Sequence, residues 1–162
     1  MFSDRYRDRM DPSPVEAYEQ TADRLEREVL RACAGAAGWR DGFEAALARL
    51  LRFVAEEPDR ARALLLDVRA RGGDAWAKHE EVVARLVDAV DSARDQAGAR
   101  PTATRTTSAF VVGAIEEMLR IEIAAGRAAA VERLLPELTR LAFLTLFGED
   151  DPAAGAAERR LS

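Results

Sequence analysis

The chain has 162 residues, of which 48% are apolar and 33% charged, and a net charge of -5. This length is about that of one domain and is sufficient to bury a core without disulfides or metal. The excess of acidic residues argues against a protein that binds DNA by itself, because contacts with the DNA phosphates need a basic protein surface. No apolar run approaches the roughly 18 residues of a membrane span, and the charged start lacks a signal peptide's apolar stretch. We therefore expect a cytoplasmic protein with no membrane partner.

The first predicted element is a helix with a defined start. Ser13 can cap it, Pro14 suits its first turn, and Glu16 completes a capping box. Apolar residues then recur at spacings of three and four residues. Gly35 ends this first helix.

Three further helices follow in the middle of the chain. A second helix begins after Trp39 and ends at Pro58, which starts a short third helix. The glycine pair that begins at Gly72 stops the third helix. A long fourth helix then runs from about Asp74 to Gln96, with one apolar stripe and one charged face. No segment has the alternating pattern of a strand.

The last two predicted helices are unusually apolar. After a breaker at 98–101 and a threonine-rich loop, the fifth helix ends at Gly126, and Pro136 starts a last helix that ends at Gly148. Helices that are apolar on two sides need two partners, so we expect a two-fold homodimer built from this pair. The residues assigned to the dimer interface are Ile115, Leu119, Leu138, Leu141, Ala142 and Leu146.

These elements predict an all-α fold, an antiparallel bundle of about six helices that dimerises through the last two. Residues 13–148 form the folded domain. We expect residues 1–12 to be a flexible start or the remnant of a preceding module, and 149–162 to be a disordered tail.

Residue patterns for catalysis or metal binding are largely missing from the sequence. His79 is the single histidine and lies on the inward stripe of the fourth helix, which is typical of a core or pocket histidine with one hydrogen bond. Its neighbour Glu80 points about a hundred degrees away on a helix, so the two make a poor metal pair. Cys33 has no second cysteine for a disulfide or a redox cycle. We therefore predict no enzyme activity, no cofactor and no metal.

Four segments, in this order, resemble the C-terminal ligand-binding and dimerisation domain of TetR/AcrR-family transcriptional regulators. They are the capped start leading to VEAYEQTADRLEREVL, the Trp-x3-Phe-x3-Leu segment ending in AEEPDRARALLL, the threonine-rich loop before SAFVVGAIEEMLRIEIAAG, and the closing LLPELTRLAFLTLFG. Together they cover Ser13 to Gly148. The likeness depends on their order and spacing, since none is a catalytic motif.

The resemblance implies a small, mostly apolar effector bound among the middle helices. By helical face, we assign the apolar wall of its cavity to Leu50, Val54, Leu65, Val68, Trp76, Val83, Phe110, Ala114 and Met118. Orienting polar contacts are assigned to His79, Arg105 and Glu117. The alternative for Trp76 and its neighbours is that they simply fill a core.

Members of this family normally begin with a helix-turn-helix module, which this sequence lacks. Residues Met1 to Arg5 resemble the end of that module, so we expect either a shortened chain or a start assigned too late. DNA is a partner only if an upstream helix-turn-helix exists. The predicted function is an effector-sensing, dimeric regulator without its DNA-binding head. The alternative is an interaction protein that holds no ligand and pairs with itself or with a full-length relative.

Overall fold

The computed structural model of the chain describes residues 13–97 and 103–148. In chain order its α-helices are α1 (Pro14–Ala34), α2 (Trp39–Glu56), α3 (Pro58–Arg62), α4 (Val68–Arg71), α5 (Gly73–Gln96), α6 (Arg105–Ala124) and α7 (Leu135–Phe147). The described residues contain no strand, which confirms the all-α class. The predicted start at 1–12, the breaker at 98–101 and the tail at 149–162 lie outside the described residues.

The predicted capping box of α1 is confirmed. The Ser13 N–H donates to the Glu16 carboxylate at 2.7 Å, and the Glu16 N–H donates to the Ser13 hydroxyl at 3.2 Å. Helices α1 and α2 then pack closely against each other at Gly42. A side chain there would place its Cβ 2.8 Å from the carbonyl oxygen and 3.2 Å from the Sγ of Cys33. Glycine at this position therefore sets the distance between α1 and α2.

The segment between Pro58 and Arg71 is less regular than the single short helix predicted. Its central turn, Ala63–Asp67, is π-helical and joins α3 to α4. The segment ends as predicted at Gly72 and Gly73, which have φ values of 59° and 58°. Both values lie in the left-handed region that glycine adopts without strain.

Two apolar clusters form the core. The larger one holds most of the fully buried side chains, including those of Leu51, Phe53, Val54, Val68 and Val131. The smaller one joins the end of α7 to the start of α2 through aromatic contacts. The Trp39 ring lies 4.2 Å from that of Phe147 and 5.2 Å from that of Phe143, measured between centroids.

A buried ionic network joins the end of α5 to the start of α6. The guanidinium of Arg94 pairs with Asp91 at 2.9 Å and with Asp95 at 2.7 Å, and it donates a hydrogen bond to the carbonyl oxygen of Ala103. The Ser108 hydroxyl donates to the same Asp91 oxygen at 2.9 Å. Ser108 is fully buried, so this network fixes the first turn of α6 against α5.

Helix α6 faces the core through a different side from the one predicted. Four residues assigned to the dimer interface are instead buried within the chain, namely Leu119, Leu138, Ala142 and Leu146. Ile115 is half-buried against them, and Leu141 alone of the six is exposed, at 44%. The assignment of Leu119, Leu138, Ala142 and Leu146 to an exposed dimer face is therefore corrected, because α6 and α7 cover these residues by packing on each other and on the core. The outer side of α6 carries Phe110, Ala114, Met118 and Ile121.

Candidate ligand-binding cavity

An apolar cavity of about 180 Å³, partly open to solvent, lies between the helices of the bundle. Its walls come from the inward stripe of α1, the first two thirds of α2, the π-helical turn, the middle of α5 and one side of α6. A cavity of about 150 Å³ with apolar walls stays dry and can hold one benzene molecule. The present cavity therefore has room for one small ring or a short branched chain.

The π-helical turn shapes one wall of this cavity. A π turn is wider than an α turn, and such turns occur frequently at functional sites. Here the consecutive residues Leu64 and Leu65 both line the cavity. Leu64 also belongs to the buried core, so the turn ties the cavity wall to the packed interior.

Three polar residues, Tyr18, His79 and Glu116, form a polar group at the cavity wall, although the cavity surface itself is almost entirely apolar. The His79 Nε2 and a Glu116 carboxylate oxygen are 3.1 Å apart, and the Arg69 guanidinium lies 3.8 Å from the same oxygen. Burial raises the pKa of the Tyr18 hydroxyl to about 12, and the charge of Glu116 acts in the same direction while Arg71 opposes it. Tyr18 is therefore uncharged at neutral pH.

The His79 ring stacks on the ring of Trp76, a residue that does not line the cavity. The Trp76 ring stacks on that of His79 with the centroids 5.2 Å apart, and the Arg69 guanidinium lies 5.7 Å from the Trp76 ring centre. Trp76 itself packs against the larger core and does not line the cavity. It supports the polar group from outside the ligand space.

A second acidic residue, Glu26, lines the cavity, but its carboxylate already accepts hydrogen bonds from an arginine. The two Glu26 oxygens accept hydrogen bonds from the Arg85 guanidinium at 2.5 and 2.7 Å. Glu26 lies eight residues after Tyr18 on α1, or roughly 12 Å along the helix. Glu116 is consequently the carboxylate of the polar group.

The structure brings only part of the predicted ligand site together. Leu50, Leu65, His79 and Val83 line the cavity. Val54 and Val68 are fully buried in the core instead, and Arg105 lies on the surface, where it pairs with Asp88 at 2.7 Å. The remaining residues, Phe110, Ala114, Glu117 and Met118, are exposed on the outer side of α6.

The residues of α6 that were predicted to line the cavity are misplaced for one physical reason. The residues that line the cavity from this helix are Val112, Ile115, Glu116 and Leu119. They lie one or two residues away from the predicted set, and a shift of one residue turns a side chain by about 100°. Because α6 is apolar on nearly all sides, its sequence does not distinguish the inner face from the outer one.

Sequence reasoning also missed several cavity residues, including Tyr18, Trp39, Phe43 and Glu116. Tyr18 lies on the apolar stripe of α1, and the two aromatic residues lie on α2, so a core role was the simplest interpretation. For Glu116 the signal was its place on the same side of α6 as Ile115 and Leu119, which appears only once the orientation of α6 is known.

Within residues 13–97 and 103–148, no group of three or more histidine, cysteine or acidic side chains is arranged to hold a metal ion. Across the same ranges, no helix combines the length and apolarity needed to cross a membrane. The chain matches no protein-family model, and no curated protein or solved structure is significantly similar to it. The likeness to TetR/AcrR-family regulators therefore stays a prediction from the sequence.

Proposed function

We propose that the chain binds one small, mostly apolar molecule in its cavity and serves as the effector-sensing part of a TetR-like transcriptional regulator. The observation that carries this proposal is the cavity itself, whose walls come from five segments of the chain and are almost entirely apolar. Small-molecule sites have this character, with mostly apolar walls and a few polar groups that fix orientation.

The position of α1 gives the proposal a mechanism. Helix α1 supplies cavity residues from Tyr18 to Cys33, over most of its length. A molecule in the cavity therefore contacts the helix that leads back toward the start of the chain. Binding would shift the packing of α1 on α2 and α5, and any module joined ahead of α1 would receive that shift. In this proposal, DNA contacts belong to such a module or to a partner that carries one.

Filling the cavity tests the binding proposal. Ala89 lines the cavity from α5, and we expect Ala89→Phe to occupy that space with its ring. Binding of toluene as a probe should then weaken at least tenfold, while thermal stability stays equal or rises, because filling a cavity regains lost contacts. Titration calorimetry measures the affinity, and thermal unfolding measures the stability.

The matched control is Ala84→Phe on the exposed face of the same helix. It adds the same ring without entering the cavity, so toluene affinity should not change. Equal affinity in Ala89→Phe and the unmutated chain would show that the probe binds elsewhere. That result would overturn the cavity as the ligand site.

We further propose that the chain forms a two-fold homodimer through the outer side of α6 and the exposed part of α7. The support is an apolar surface on two helices that pack together, with Phe110 exposed by 65%, Ile121 by 47%, Leu141 by 44% and Met118 by 38%. Two-fold symmetry allows such a patch to cover itself. This face replaces the one predicted from the sequence and shares Leu141 with it.

A charge on the outer side of α6 tests this assembly. We expect Met118→Glu to shift the chain from dimer to monomer at micromolar concentration, because each interface would gain two unpaired carboxylates. Light scattering gives the mass, and Ala84→Glu on the exposed face of α5 is the control that should remain dimeric. An unmutated chain that is monomeric under the same conditions would overturn the dimer.

The exposed apolar face also favours one alternative function. An interaction protein that pairs with itself or with a longer relative needs this face and no ligand. The two functions differ in the cavity experiment, since an interaction protein binds no probe there and its assembly is unchanged by Ala89→Phe.

A further inference from the structure

We infer that the ligand carries an unbranched hydrocarbon chain, which lies lengthwise between α1 and α5 and makes no hydrogen bond to the cavity wall. This inference rests on the proposed ligand binding and names the chemical class of the ligand. It follows from the length of the cavity, from the lack of polar surface on its walls, and from the end at which it opens.

The cavity is long for its volume. On α1 its wall extends from Tyr18 to Cys33, and on α5 it extends from His79 to Ala93, which is about 20 Å along each helix axis. A volume of about 180 Å³ spread over such a length leaves a narrow space. By volume alone the cavity holds a small ring or a short chain. Its length favours the chain, because a ring occupies only part of it.

The two wall segments lie side by side because α1 and α5 run in the same direction. Lys78 pairs with Asp23 at 2.9 Å, and further along both helices Arg85 pairs with Glu26 at 2.5 Å. Later residues of α5 therefore lie beside later residues of α1. An extended chain between the two helices contacts both of them along its whole length.

The acidic side chains at the wall are already paired with other residues. The Glu26 carboxylate accepts hydrogen bonds from Arg85, and the Glu116 carboxylate lies 3.1 Å from His79 and 3.8 Å from Arg69, which is outside the cavity wall. The cavity surface is almost entirely apolar. A hydroxyl or charged group deep in the cavity would lose its water without gaining a partner, which is unfavourable. The part of the ligand that is bound there is therefore hydrocarbon.

The cavity is closed at one end and opens toward the other. At the first end, Tyr18, His79 and Leu119 are at most 8% exposed. Toward the second end, Leu30 is the most exposed of the described residues that line the cavity, at 38%. The chain therefore enters with its apolar end first, and a polar group at its other end stays in water near Leu30.

A series of unbranched alcohols tests the length of the bound chain. Titration calorimetry on the unmutated protein should give a dissociation constant that falls about fourfold for each carbon added from n-butanol to n-octanol, which corresponds to ~0.8 kcal/mol for each buried methylene group. The diol that adds a hydroxyl group to the far end of n-octanol should bind at least tenfold more weakly than n-octanol. Toluene is the reference probe for the cavity as a whole.

The variant Ala93→Leu tests where the chain lies. Ala93 is the last residue of α5 that lines the cavity, and a larger side chain there narrows the cavity toward its open end. The dissociation constant of n-octanol should therefore rise at least tenfold. The matched control is Ala84→Leu on the exposed face of the same helix, which should leave the binding of n-octanol unchanged.

Three results would overturn the inferred chain while toluene binding keeps the cavity as a ligand site. They are a dissociation constant that stops falling beyond n-butanol, equal binding of n-octanol and the diol, and unchanged binding of n-octanol to Ala93→Leu. If neither toluene nor any alcohol binds, the proposed function itself is overturned. The alcohol series on the unmutated protein decides the ligand class even if Ala93→Leu does not fold.

Discussion

Replacing Arg94 by methionine is expected to lower the free energy of unfolding by about 3 kcal/mol. The guanidinium is buried, and its removal leaves Asp91 with the Ser108 hydroxyl as its remaining partner among the described residues. The Ala103 carbonyl also loses its donor. Methionine fills much of the same space, so the decrease in the free energy of unfolding measures the contribution of the polar network. Urea unfolding followed by circular dichroism measures it.

The control for this prediction is Arg105→Met, in the exposed pair that Arg105 forms with Asp88 at 2.7 Å. Both side chains of this pair are more than half exposed, and such pairs contribute about 0.5 kcal/mol or less. Equal losses in the two variants would mean that burial does not strengthen the Arg94 network, contrary to our account.

Replacing Gly42 by alanine is expected to cost about 1–3 kcal/mol, because the added methyl group overpacks the contact between α1 and α2. The new Cβ would lie 2.8 Å from the Cys33 carbonyl oxygen, and a backbone atom cannot move aside as a flexible side chain can. The loss occurs despite the better helix propensity of alanine, which by itself would stabilise α2 by up to about 1 kcal/mol. Thermal and urea unfolding both measure the change.

Gly113→Ala is the matched control, because Gly113 lies inside α6 and a Cβ there would meet no atom within 4 Å. This variant should gain about 0.5–1 kcal/mol from helix propensity alone. A gain at both positions would show that α1 and α2 can separate without cost, and the close approach at Gly42 would then have no structural role.

Helix ends could be predicted from the sequence because their signals are local. The capping box of Ser13 and Glu16 and the left-handed glycines Gly72 and Gly148 depend only on near neighbours along the chain. The π-helical turn at Ala63–Asp67 was not predictable in this way. It contains ordinary helix-forming residues, and its wider geometry depends on the packing of the surrounding helices.

The cavity could be predicted less well than the helices that form it. The charged face of α5 fixes its orientation, so His79 and Val83 were correctly placed on its inner side. On α6 the polar residues are too few to fix the orientation, and Phe110 and Val111 are equally plausible core residues by type. The structure buries Val111 and exposes Phe110. Such a choice depends on long-range contacts that no local pattern encodes.

The walls of the cavity come from residues that span Tyr18 to Leu119, so the cavity exists only when nearly the whole described chain is folded. By thermodynamic linkage, a molecule that binds the folded chain alone adds about 2.7 kcal/mol to the free energy of unfolding when its concentration is one hundred times its dissociation constant. Proteases in cells remove the unfolded fraction continuously, and that fraction falls as occupancy rises. We therefore expect the amount of this protein in a cell to follow the supply of its ligand.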